Sequence, residues 1–222
     1  MPRYTKTALR RDIKSLAGVD PDMADTLARF GYPELRSREP GFEAVLRAIV
    51  GQQVSIAAAA AIWGRLAATV DPLDPATLLA TSEEALRAAG LSRQKISYAR
   101  GLAGDIGAGR ITLEQLPRLA DEEAIETLTM LKGIGRWTAE VYLLFALGRT
   151  DMFPADDLAL MSAAGHMKGL AERPDRVGVL EIAEAWRPWR GAAAHMLWHY
   201  YHHVIMKPAS RKADKTASQA AP

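Results

Sequence analysis

The stretch from Asp121 to Leu160, DEEAIETLTMLKGIGRWTAEVYLLFALGRTDMFPADDLAL, constrains this chain more than any other. It reads as a helix, a glycine-bearing turn, a second helix, and a short loop ending in two adjacent aspartates. Ala124, Ile125, Leu128 and Leu131 recur at helical spacing, with Asp121 in the N-cap place. The turn is Lys132-Gly133-Ile134-Gly135, and Trp137, Val141, Leu144 and Phe145 mark the second helix, which should stop at Gly148. Two glycines around one apolar residue let a backbone turn sharply and approach something outside the protein. Amides left over at the positive end of the second helix would suit an anion. On Gly-Ile-Gly alone, a hairpin whose glycines only cap a helix explains the string as well.

The rest of the chain is helical in pattern. Short helices are expected near Thr5–Ala17 and Asp22–Phe30, and two more from Gly41, meeting near Gly51-Gln52-Gln53. Thr81 with Glu84 has the spacing of a capping box, and Gly90 ends that helix. Ile96, Ala99, Leu102, Ala103 and Ile106 share one face of the next helix, and Thr112 with Gln115 looks like a further cap. Later helices are expected over Leu158–Gly165, Val179–Trp186 and Arg190–Ile205. No run alternates with period two for long, so the expected class is all-α. The end of the chain, PASRKADKTASQAAP, is small, polar and charged, and is expected to be a disordered basic tail over 207–222.

Composition excludes several classes. The 222 residues are 49% hydrophobic, enough for one large domain or two lobes. With no cysteine, disulfides, thiolate zinc sites and a four-cysteine iron–sulfur cluster are ruled out. The start, MPRYTKTALRRDIKSL, lacks the apolar centre of a signal peptide, and the longest apolar stretch, Val54–Val70, is broken by Ser55, Gly64 and Arg65. No membrane span and a cytoplasmic location are therefore expected. The net charge is only +2, and Lys207, Arg211, Lys212 and Lys215 against Asp214 supply +3 of it. Nucleic-acid binding would have to rest on a local patch.

LKGIGRWTAEVYLLFALGRTDMFPADDLAL resembles the helix-hairpin-helix and Gly/Pro-Asp loop of the base-excision DNA glycosylases, and is most similar to their 3-methyladenine DNA glycosylase II (AlkA-type) branch. Where that family usually has proline in the turn, this chain has Lys132. FEAVLRAIVGQQVSIAAA, LSRQKISYARGLA and WRPWRGAAAHMLWHYY are similar to other segments of the same core. The resemblance implies two helical lobes, a terminal one of 1–50 plus 154–206 and a central one of 51–153 holding the hairpin 121–148. With only about forty residues before the core, it also implies the compact form without the N-terminal mixed α/β domain.

Under that resemblance each residue type has a chemical reason. Breaking an N-glycosidic bond builds positive charge on the sugar, which a carboxylate near C1′ stabilises. Matching FPADDLAL to the family loop puts that role on Asp157, with Asp156 as helix cap or support. Lyase-competent relatives carry a nucleophilic lysine two residues after the second glycine. Here Trp137 stands there, implying a monofunctional hydrolase without β-elimination. A purine alkylated at N3 or N7 is cationic and suits electron-rich rings; Trp137 and Trp198 match pocket positions, and Tyr142 lies beside Val141, where some relatives place a tyrosine. Trp63 and Trp186 read as core. Lys132, Gly133, Ile134 and Gly135 would meet DNA phosphate, and Gln52 or Gln53 would fill the gap left by a flipped base.

His195, His199 and His202 share a helix face, yet that helix has no carboxylate and the family holds no metal there. Superfamily hairpins hold a monovalent cation on backbone carbonyls, here those of Thr129, Leu131 and Gly133, so Na+ or K+ is the one ion expected and no other cofactor. The implied partner is duplex DNA with alkylated bases, bound by a monomer on the nucleoid. A glycosylase for ethenoadenine, hypoxanthine or uracil, and a non-catalytic helix-hairpin-helix DNA-binding module, are the alternatives.

Overall fold

A computed structural model describes residues 4–206, and every regular element among them is helical. The tail expected at 207–222 lies outside the described residues. In chain order the helices are α1 (Lys6–Val19), α2 (Pro21–Phe30), α3 (Phe42–Gly51), α4 (Ile56–Thr69), α5 (Pro75–Ala80) and α6 (Glu83–Ala88). They continue with α7 (Arg93–Gly107), a 3-10 helix (Leu113–Arg118), α8 (Asp121–Thr129) and α9 (Arg136–Phe145). After the aspartates come α10 (Leu158–Met167), α11 (Arg176–Glu184) and α12 (Arg190–Tyr200), which runs on into one π-helical turn (Tyr201–Ile205). No helix among the described residues is long and apolar enough to cross a membrane.

The chain divides into two compact units. One is Arg36–Arg149 with Tyr4; the other joins Thr5–Leu35 to the chain from Thr150 on. The first boundary therefore falls near residue 36 rather than after residue 50, because α3 packs on α4, α7 and α9. The later boundary falls just ahead of the expected one. There the Gly191 amide bonds the Thr150 carbonyl at 2.8 Å, and Arg190 holds Asp151 through Nη2 at 2.9 Å.

In the first unit α8 and α9 form the hairpin, α3 lies against α7 and α9, and α5 and α6 pack on α7. Leu46, Ile49, Leu66, Ala99, Leu102, Leu128 and Leu143 make its dry centre. In the second, α12 runs against α1, α2 and α10, burying Leu9, Ile13, Leu16, Leu160 and Leu197. An almost wholly buried Asp20 organises this unit. Its Oδ1 caps α2 through the amides of Asp22 (3.0 Å) and Met23 (3.2 Å). Its Oδ2 accepts from Lys168 Nζ (2.8 Å) and from Trp186 Nε1 (2.6 Å). Trp186 is thus core, as expected, and Trp63 is buried with Arg47 5.0 Å over its ring.

Several local expectations need correction. α6 is capped by Ser82, whose Oγ takes the Ala85 amide at 3.2 Å, while Thr81 bonds back to the Thr77 carbonyl at the end of α5. α8 begins at Asp121 itself: the Ala120 amide is held by Glu123 Oε2 at 3.0 Å, and Asp121 faces Arg149 instead of capping. Thr112 makes no side-chain cap to the 3-10 helix that follows it. α9 ends at Phe145, three residues before Gly148, which turns left-handed at φ 69°.

Candidate nucleic-acid interface and catalytic carboxylate

The hairpin is built on one glycine that needs to be glycine. Gly133 has φ +89°, a region that side chains avoid, and a Cβ there would collide with the ring of Tyr98 on α7. Gly135 has an ordinary extended backbone (φ −91°, ψ 172°) and open space where a Cβ would go. A side chain at Gly135 would meet open space, so the turn is unobstructed at that position. It is also the N-cap of α9 and supplies no side-chain oxygen to the first turn, unlike Ser55 on α4 or Ser92 on α7. A helix N-terminus without a built-in acceptor is suited to an external anion.

Arg136 clasps the two hairpin helices. Its Nε reaches the nearly buried Glu140 at 3.0 Å and its Nη1 reaches Glu122 on α8 at 2.9 Å. The hydrogen bond to Glu122 leads the influences that hold the guanidinium above its ordinary value, against the opposing effect of burial.

Gln52 and Gln53 leave the end of α3 in different directions. Gln52 donates from Nε2 to the Gly133 carbonyl at 2.8 Å, whereas Gln53 is exposed and left-handed at φ 54°. Of the carbonyls of Thr129, Leu131 and Gly133, expected to face a monovalent cation, two accept an N–H within the protein. The Gly133 carbonyl accepts Gln52 and the Leu131 carbonyl accepts the Ile134 amide at 3.0 Å. A carbonyl oxygen has two lone pairs, so each of these keeps an acceptor position beyond that one bond.

Trp137 is the second residue of α9 and is 37% exposed, the most open of the aromatic candidates. Tyr142 is different. Its ring is buried and its hydroxyl accepts the Gly41 amide at 3.0 Å, tying α9 to the start of α3. Burial pushes its phenol above the ordinary value. The hydroxyl of Tyr142 thus serves as a tie between two helices of the first unit.

The second unit carries Asp157 and Trp198. Asp157 is the N-cap of α10, its Oδ1 accepting the amides of Ala159 (2.9 Å) and Leu160 (3.0 Å). The cap role expected of Asp156 therefore belongs to Asp157. Asp156 instead pairs with Arg176 at 2.6 Å on the surface. Capping orients Asp157: with one oxygen bound to two amides, the carboxylate has a single defined pose. Trp198 is buried to 8% exposure, with the His195 ring edge-on at 6.2 Å. His195 Nδ1 donates to the Gly191 carbonyl (2.8 Å) and His199 Nε2 to that of Phe30 (3.0 Å). Among the described residues no group of three or more His, Cys, Asp or Glu is placed to hold a metal.

Sequence reasoning overlooked Tyr98 and Lys95. Lys95 Nζ bonds the Val50 carbonyl at 2.7 Å, and burial lowers its ammonium from the ordinary value. The signal was Gln94, Lys95 and Tyr98 standing apart from the apolar face of α7.

Residues 46–188 match the HhH-GPD superfamily of base excision DNA repair proteins, and the chain belongs to that family. It is 36% identical over 200 residues to DNA-3-methyladenine glycosylase 1 of Schizosaccharomyces pombe, covering 86% of this chain and 87% of that one. It is 31% identical over 188 residues to DNA-3-methyladenine glycosylase 2 of Escherichia coli, covering 78% and 64%. Its structure is similar to the S. pombe 3-methyladenine DNA glycosylase solved with abasic DNA (TM-score 0.78, 35% identity, 85% of this chain and 95% of that one).

Proposed function

We propose that this protein is a monofunctional DNA glycosylase that turns alkylated purines, of the 3-methyladenine and 7-methylguanine class, out of duplex DNA and hydrolyses their N-glycosidic bonds in base excision repair. The observation that carries this reading is Asp157, held in one pose by two helix amides in the loop that follows the hairpin. Its carboxylate stabilises the positive charge that develops on the sugar as the bond to the base breaks, and orients the attacking water. An alkylated purine is already cationic and leaves as a neutral base, so the reaction needs no strong acid.

Trp198, in the unit that carries Asp157, supplies an electron-rich ring for that cationic base. Lys132 and the Gly133–Gly135 turn, at the uncapped start of α9, grip a phosphate. The exposed Gln53 enters the gap in the duplex. With Trp137 where lyases carry lysine, no amine stands at that position to form a Schiff base. No step passes through a metal ion, and one chain suffices, acting on chromosomal DNA.

The test is release of free 3-methyladenine and 7-methylguanine from methylated duplex DNA in a buffer with chelator, comparing wild type with Asp157→Asn. Asparagine is itself a good N-cap, so α10 is kept and only the charge is lost. Release by wild type alone, with DNA binding retained by the variant, supports the reading. Equal release by both removes Asp157 from the chemistry, and no release by either overturns the substrate class.

A further inference from the structure

Gln53 is the non-glycine left-handed residue among the described residues, a conformation that costs a β-carbon-bearing residue free energy and has to be held by its surroundings. The residues on either side of it are held. On the near side of the tip, Lys95 ties down the last carbonyls of α3 through Val50 at 2.7 Å. On its far side, the Gln52 carboxamide reaches across 81 residues of sequence to the Gly133 carbonyl at 2.8 Å. Gly133 in turn rests on the Tyr98 ring, whose hydroxyl accepts from Gln94 at 2.6 Å. One face of α7 thus underlies both the tip and the phosphate turn, and Gln52 is the side chain that joins them directly.

We infer that Gln52 is a positioning residue: through Gly133 it locks the exposed Gln53 tip to the hairpin turn, so that gripping phosphate and filling the gap left by an extruded base occur at one fixed spacing. This rests on the glycosylase reading above. It divides the two adjacent glutamines, giving Gln53 the DNA and Gln52 the scaffold. The chemistry requires a donor of this length. Asparagine falls short by one methylene, methionine cannot donate, and an ionised glutamate sets a carboxylate against a carbonyl.

The experiment measures affinity for a duplex containing a tetrahydrofuran abasic-site analogue and for the same duplex undamaged. The proteins are wild type, Gln52→Met, Gln53→Ala, the double variant and Gln52→Glu. Loss of one neutral hydrogen bond should lower the abasic-over-undamaged preference of Gln52→Met up to about tenfold, with undamaged-duplex affinity within about twofold of wild type. In the Gln53→Ala background the same substitution should change little, because its effect passes through Gln53.

Gln52→Glu gives a readout that a packing role would not move. Near pH 5 an appreciable share of its carboxyl groups carries a proton to donate to Gly133, so preference recovers relative to about pH 8, while wild type stays flat. It also serves if Gln52→Met fails to fold. An unchanged preference, a parallel loss on both duplexes, effects that multiply in the double variant, or a flat Gln52→Glu profile overturns the inference. Wild type that neither releases bases nor prefers abasic duplex overturns the functional reading, and this inference with it. Wild type that does both, beside an unaltered Gln52→Met, overturns this inference alone.

Discussion

The ring of Tyr98 occupies the place where a β-carbon on Gly133 would have to sit. Gly133→Ala therefore combines a collision with a left-handed backbone and should destabilise the protein by about 1–3 kcal/mol. Gly135→Ala should leave the unfolding transition in place, because its Cβ meets open space. It should still weaken duplex binding, since the added methyl stands where a phosphate would approach. Denaturant unfolding beside DNA titrations checks both, and equal destabilisation by the two variants would refute the distinction.

Asp157 carries two duties that substitutions can pull apart. Asp157→Asn should unfold within about 0.5 kcal/mol of wild type yet lose base release by about two orders of magnitude or more. Asp157→Ala should show the same loss and, in addition, about 1 kcal/mol less stability, because the Ala159 and Leu160 amides lose their acceptor. Asp156→Asn removes only a surface pair with Arg176 and should keep both stability and release.

Asp20 should set the acid limit of stability. Burial alone would push its carboxyl up, but the hydrogen bonds from Lys168 and Trp186 lead the influences that hold it below its ordinary 3.8. A depressed carboxyl contributes stability above that value and loses it as pH falls through the folded-state value, so wild type should weaken below about pH 4. Lys168 is shifted the other way, above its ordinary 10.5, as Asp20 and Asp22 outweigh burial. Its contribution is complete below 10.5 and fades at higher pH. Asp20→Asn should cost about 2–3 kcal/mol at neutral pH and flatten the acid limb of a stability profile.

Trp137 should leave the enzyme without a covalent route to strand scission. Borohydride treatment of wild type with abasic duplex should yield no trapped protein–DNA product, because no amine stands at that position of the hairpin. A trapped product lost on Lys132 substitution would instead make that lysine a nucleophile.

Much of this was legible in the chain itself. The period of Ala124, Ile125, Leu128 and Leu131, the glycine turn and the paired aspartates are local signals, since propensity and turn geometry depend on near neighbours. Cap assignments slipped by one residue: the Ser82 hydroxyl takes the Ala85 amide, and Glu123 reaches back to the amide of Ala120, the residue before Asp121. The bond from the Gly41 amide to the Tyr142 hydroxyl joins residues too far apart in the chain for any local pattern to announce.

The sequence by itself determined an all-helical chain, the hairpin, the aspartate loop and a tryptophan, not a lysine, two residues after the second glycine, all of which depend on residue type and short-range spacing. Only the tertiary structure decided that Asp157 rather than Asp156 caps α10, that Gly133 alone of the two glycines is sterically required, and that Gln52 turns inward while Gln53 faces out. Each of those depends on a hydrogen bond or collision in three dimensions, and the Gln52–Gly133 bond spans 81 residues that no local pattern connects.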